Sequence, residues 1–152
     1  SEINFKSKKF NCKIFDDINL KFKLAYGRVN FSKKLSSNNS SINCDGNINF
    51  LEEYPILFFE CHVKSDNKKE FLRKFSVKTK SKNEIFELKI KGNLSLLNGK
   101  INFKNISMND SYNASKEDLK YFKIAFENIL FDEDFLKIFD LKKVKDFITE
   151  IS

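Results

Sequence analysis

From Ile18 to Tyr26 the chain alternates without interruption: Ile18, Leu20, Phe22, Leu24 and Tyr26 are separated by Asn19, Lys21, Lys23 and Ala25. Successive side chains of an extended strand point to opposite faces, so a period of two places the large apolar residues on one face and the polar ones on the other. The pattern returns in Phe10-Asn11-Cys12-Lys13-Ile14, Ile48-Asn49-Phe50, Phe86-Glu87-Leu88-Lys89-Ile90 and Ile101-Asn102-Phe103. A sheet with one apolar and one polar face is antiparallel, because a parallel sheet is buried on both sides. This repeat limits most of the chain to short strands connected by turns.

Turn residues fall where such a meander needs them. Asn98-Gly99 lies between Leu94-Ser95-Leu96 and Ile101-Asn102-Phe103, a strong hairpin signal. Asp45-Gly46, between Ile42-Asn43-Cys44 and Ile48-Asn49-Phe50, predicts a second hairpin. Gly27 and Gly92 sit within or between alternating runs and suggest a bulge, bend or tight reversal. Residues 36–41 read as a polar loop. Ile56 to Val63 carries apolar residues at both parities, which predicts a strand covered on both faces, with His62 opposite Phe59 and Cys61. Phe71, Leu72 and Phe75 have helical spacing and predict a short helix over 67–75.

After Ser111 the period changes. Ser115-Lys116-Glu117-Asp118 has the form of a capping box, with Asp118 where Glu is more usual. Leu119, Phe122, Phe126, Ile129 and Leu130 then form a stripe at helical spacing. Phe135, Leu136 and Phe139 predict a further turn or helix. Leu141, Val144, Phe147, Ile148 and Ile151 predict a last helix, with Lys142, Lys143 and Lys145 largely on its other side. The expected fold is α+β and β-dominated: a curved antiparallel meander or groove over 1–110, then a helical cap over 111–152, in one domain. A chain of 152 residues can bury enough surface to need no staple.

The net charge of +7 raises the question of nucleic acid or anionic membrane. Arg28 and Arg73 are the only arginines, and base and phosphate recognition lean on arginine. The lysines are spread over almost every segment. They read as the solvated face of a sheet, with at most a weak attraction to lipid headgroups. No apolar run approaches the ~20 residues of a membrane span. Glu2, Lys6, Lys8 and Lys9 interrupt any signal peptide. A chain beginning at Ser rather than Met reads as a piece of a longer protein or a processed product.

Little in the sequence suggests catalysis. His62 is the only histidine, which rules out a metal site or relay that needs two. Cys61 and His62 are neighbours on a strand and point apart. The carboxylates at Asp16-Asp17, Glu52-Glu53 and Asp132-Glu133-Asp134 read as turns and a helix boundary. No phosphate loop or nucleophile elbow is present. Cys12, Cys44 and Cys61 are odd in number and form no CxxC. They read first as small buried side chains, and otherwise as one disulfide plus a thiol in an oxidising compartment. We therefore expect no enzyme, no cofactor and no metal.

The informative constellation is the apolar stripe: Leu20, Phe22, Leu24, Phe58, Phe86, Leu88, Ile90, Leu94, Leu96, Ile101 and Phe103. If the C-terminal helices cover it, the stripe is core, and the domain is structural or an adaptor for a protein partner. If part stays open, the trough would need an apolar occupant, and these residues become candidate lipid contacts. On the second reading, Asp at Leu88 or Phe103 removes bound lipid and leaves the strands in place.

From Ile90 onward a family pattern is visible. Lys91-Gly92-Asn93-Leu94-Ser95-Leu96-Leu97-Asn98-Gly99-Lys100-Ile101-Asn102-Phe103 resembles the glycine–strand–turn–strand repeat of AsmA-like proteins. Residues 115–122 and 139–148 are similar to the closing helices of lysine- and asparagine-rich bacterial members. The resemblance covers about residues 85–152, with a match only of style before that. It implies the C-terminal end of an envelope protein anchored in the inner membrane by an upstream segment. The periplasmic body would be a bridge-like groove moving phospholipid toward the outer membrane. The expected partners are then a phospholipid or other acyl-chain ligand, the upstream sheet of the same protein, and an envelope protein.

Overall fold

The computed structural model describes residues 1–8, 15–74, 80 and 82–131. Its strands are β1 (Glu2–Lys8), β2 (Asp17–Ala25), β3 (Arg28–Ser37), β4 (Ser40–Asn49), β5 (Ile56–Ser65), β6 (Phe86–Ser95), β7 (Ile101–Met108) and β8 (Tyr112–Asn113). They form one antiparallel sheet in which spatial order equals chain order. Helix α1 (Lys68–Lys74) joins β5 to β6, and α2 (Lys116–Phe131) follows β8. This is the β-dominated meander expected from the alternation. The last predicted helix, around residues 141–151, lies outside the described residues, as do Phe75, Phe135, Leu136 and Phe139.

The register stacks the apolar positions into rows across the strands. One row runs Ile3, Phe22, Phe31, Gly46, Phe59, Gly92, Phe103, and the next runs Phe5, Leu20, Lys33, Cys44, Cys61, Ile90, Ile106. All of these side chains share one face. Lysines, asparagines and carboxylates at the alternate positions form the other.

Turn geometry follows residue chemistry. Tyr26 and Gly27, at φ of 49° and 70°, make the two-residue reversal between β2 and β3. Gly99, at φ 66°, closes the β6–β7 hairpin as Asn98-Gly99 predicts. Gly92 marks a bulge, where the β6–β7 register shifts between Lys91 and Gly92.

Asp45-Gly46 does not turn. It lies inside β4, which runs unbroken to the turn at Phe50. The glycine is required by a neighbour instead: a Cβ there would stand 2.4 Å from the Phe31 ring and 2.8 Å from the Phe58 carbonyl oxygen. The expected polar loop at 36–41 shrinks to a turn at Asn38-Asn39, because β3 and β4 pair as far as Ser37 and Ser40.

The core gathers under the later strands. Phe86, Leu88, Ile90 and Leu94 of β6, with Ile101, Phe103 and Ile106 of β7, are buried with Phe71 and Leu72 of α1 and Phe122 of α2. Burying each such side chain contributes roughly 1.5–3 kcal/mol. Helix α2 starts with the reciprocal bonds of a capping box. The Ser115 N–H donates to Asp118 Oδ2 at 2.9 Å, and the Asp118 N–H donates to Ser115 Oγ at 3.1 Å. The helix docks where the Ile101 N–H donates to Glu127 Oε1 (3.0 Å) and Lys123 Nζ donates to Asn102 Oδ1 (3.0 Å). Asn67 caps α1 by accepting the Glu70 N–H at 3.0 Å.

Candidate functional site

The two halves of the apolar face differ. Over β6 and β7, Phe86, Leu88, Ile90, Leu94, Ile101 and Phe103 are at most 9% exposed. Leu96, in the β6–β7 turn, packs partly buried against the same core. These seven stripe residues are core. Leu88 and Phe103 are therefore unsuitable places to test ligand binding, since a carboxylate there would unfold the chain before it repelled a lipid.

Over β1 and β2 the same face stays open. Ile3 is 65% exposed, Phe5 50%, Phe22 42% and Leu24 48%. Leu20, Val29, Phe31 and Leu35 beside them are half-buried. The Phe22 and Phe31 rings lie against each other with centroids 6.4 Å apart. Leu51 extends the patch past the end of the strands, its side chain lying over Gly27. Of the expected contacts, Leu20, Phe22 and Leu24 meet here, and Ile3, Phe5 and Phe31 join them. β1 was not singled out in the sequence, although Ile3-Asn4-Phe5 alternates as clearly as the longer runs.

Phe58 departs from the stripe. It stands on the polar face with Glu60 and His62, 40% exposed, and the Lys104 ammonium lies 5.3 Å above its ring. The β5 run is apolar at both parities, but only one of its faces is covered.

Hollows lie over the polar face. One of about 680 Å3 is lined by residues that include Lys21, Lys23, Asp45, Glu60 and Lys104 together with Phe22, Phe31, Phe58 and Phe59. Another, of about 530 Å3, is lined by residues that include Asn19, Lys34, Asn43 and His62. The charges of this face meet one another. Lys91 Nζ is 3.4 Å from Glu60. Glu87 accepts from His62 Nε2 at 2.5 Å and stands 3.5 Å from both Lys64 and Lys89. The His62 hydrogen bond, aided by the two lysines, holds the Glu87 carboxyl below the usual carboxylate range. The 530 Å3 hollow, lined throughout by polar and charged residues, suits water and ions rather than acyl chains.

Cys44 and Cys61 are directly opposed on β4 and β5 and form a disulfide. This corrects the first reading of three separate thiols: the strand register brings two of them face to face. Cys61 and His62 point to opposite faces, as expected, and each has a different partner.

Among the described residues, no helix is long and apolar enough to cross a membrane. No family model, curated protein or solved structure matches the chain.

Proposed function

We propose that this domain is a non-catalytic, lipid-handling segment that shields acyl chains on the open half of its apolar face. The observation that carries this reading is the contrast along one continuous face. Its β6–β7 half is sealed, while Ile3, Phe5, Phe22 and Leu24 stay about half exposed or more. Water penalises such a patch, and each methylene an acyl chain buries against it contributes roughly 0.8 kcal/mol. The mechanism is passive. Apolar side chains replace bilayer hydrocarbon, and α2 closes the covered end.

The AsmA-like pattern in residues 85–152 supports placing the domain at the C-terminal end of a periplasmic, bridge-like lipid-transfer body. The Cys44–Cys61 disulfide suits that oxidising compartment.

The test is mass spectrometry of organic extracts from the purified chain and from the Phe22→Asp/Leu24→Asp variant. Phospholipid or fatty acid should accompany the wild type and be lost from a variant with an unchanged circular dichroism spectrum. A folded, lipid-free wild type would favour a structural module that meets a protein partner instead.

A further inference from the structure

The two edges of the sheet are finished differently. At one, β8 has only two residues, and α2 docks on β7 beside it. At the other, β1 runs for seven residues without proline or glycine, and among the described residues no strand lies beyond it. The β1–β2 register shows which of its backbone groups face outward. The Leu24 N–H donates to the Ser1 carbonyl at 2.8 Å, so Ser1 and Leu24 are a hydrogen-bonded pair. Such pairs alternate with non-bonded ones along an antiparallel ladder. Ile3, Phe5 and Ser7 therefore turn their N–H and C=O groups toward β2, whereas Glu2, Asn4 and Lys6 turn theirs away from the sheet. An edge of this kind is a template for another strand unless something blunts it. On the apolar face β1 presents the exposed side chains of Ile3 and Phe5, and from residue 2 to residue 7 no charge points to that side.

We infer that β1 is a dimerisation edge, pairing antiparallel with β1 of a second copy of this chain about a two-fold axis through Asn4. In that register the strand is self-complementary. Asn4 meets its own counterpart, Glu2 faces Lys6 and Lys6 faces Glu2, and all three are outward-facing residues that exchange both backbone bonds. Between them Ile3 stands opposite Phe5 on each side of the axis, at non-hydrogen-bonded positions where Cα atoms approach to about 4.5 Å. Opposite charges and aromatic–β-branched pairs are favourable cross-strand contacts. A slip of one residue would set outward-facing groups of one strand against inward-facing groups of the other, and no ladder would form. With two residues, β8 is too short to receive β1, so the association closes as a pair rather than growing into a filament. The axis is perpendicular to the sheet, which keeps both apolar faces on one side and joins the two open patches into one. This inference goes beyond the lipid-handling reading and does not depend on it.

The experiment is sedimentation velocity on the full chain, treated with iodoacetamide so that no intermolecular disulfide contributes. Wild type should sediment as a concentration-dependent dimer. Glu2 and Lys6 are exposed, so the fold tolerates a change of charge at either. Glu2→Lys and Lys6→Glu each set like charges opposite one another on both sides of the axis, and each should weaken the dimer by about tenfold. An equimolar mixture of the two variants should restore it, since each strand then opposes one of the other sign. Asn4→Pro should be monomeric with an unchanged circular dichroism spectrum, because the N–H it removes points away from β2. A monomeric wild type overturns the inference. So does a dimer indifferent to both charge variants, or a mixture that fails to restore what they lose. The lipid-handling reading is judged separately, by the organic extracts, and survives any of these results.

Discussion

Gly46 and Lys33 both lie on the apolar face, and each is constrained by what stands next to it. Adding a methyl at Gly46 drives a Cβ into the Phe31 ring and toward the Phe58 carbonyl. Gly46→Ala is therefore expected to destabilise the chain by roughly 1–3 kcal/mol, measured by urea unfolding. Lys33 has a depressed pKa caused by desolvation, so the folded state resists its charge. That penalty is fully present below the folded pKa and disappears above the unfolded value near 10.5. Lys33→Met should accordingly raise the thermal midpoint at pH 7, with the gain shrinking as pH climbs toward 10.5. A gain independent of pH would assign the effect to packing alone. Neither role was legible in the sequence. Asp45-Gly46 looks like a turn because glycine answers two different demands, positive φ and close approach, and only the register tells them apart.

At the scale of elements, the sequence carried more. Period-two runs mark β2, β6 and β7, Asn98-Gly99 marks the β6–β7 hairpin, and Phe71 and Leu72 mark α1. The Ser115–Asp118 box is present as reciprocal hydrogen bonds. Replacing Ser115 by Ala should cost about 1 kcal/mol and fray the start of α2, visible as faster amide exchange there. The bonds from Ser115 hold the Asp118 carboxyl below its ordinary 3.8. Its contribution is therefore complete above that value and is lost as pH falls through the folded pKa. Acid unfolding of Asp118→Asn should lack this component. The disulfide was hidden for a different reason: Cys44 and Cys61 become partners only when β4 and β5 pair in one particular register. Mapping unreduced peptides should find these two cysteines linked.

Over the whole molecule, alternation identified an apolar face and could not say which part is sealed. Leu24 and Leu88 read identically in sequence, yet one is 48% exposed and the other 2%. The difference comes from where α1 and α2 land, which depends on long-range packing. Leu88→Ala should therefore cost about 2–5 kcal/mol, while Leu24→Ala should stay within about 0.5 kcal/mol. Comparable losses at both sites would mean that the face is covered throughout in solution. The candidate surface was thus half visible: Leu20, Phe22 and Leu24 belong to it, Phe58 lies on the other face, and the remaining stripe residues form the core.

Each strand of this sheet hydrogen-bonds only to its neighbours in the chain. No strand has to be threaded past another, and every pairing joins strands consecutive along the chain, β5 and β6 through α1. An inserted or deleted hairpin would lengthen or shorten the sheet by roughly 10 Å and leave its cross-section, its rows and its end cap as they are. In such a scaffold, span can evolve separately from chemistry. The length of the sheet is set by the number of strands, and the character of each face by the residues within each strand.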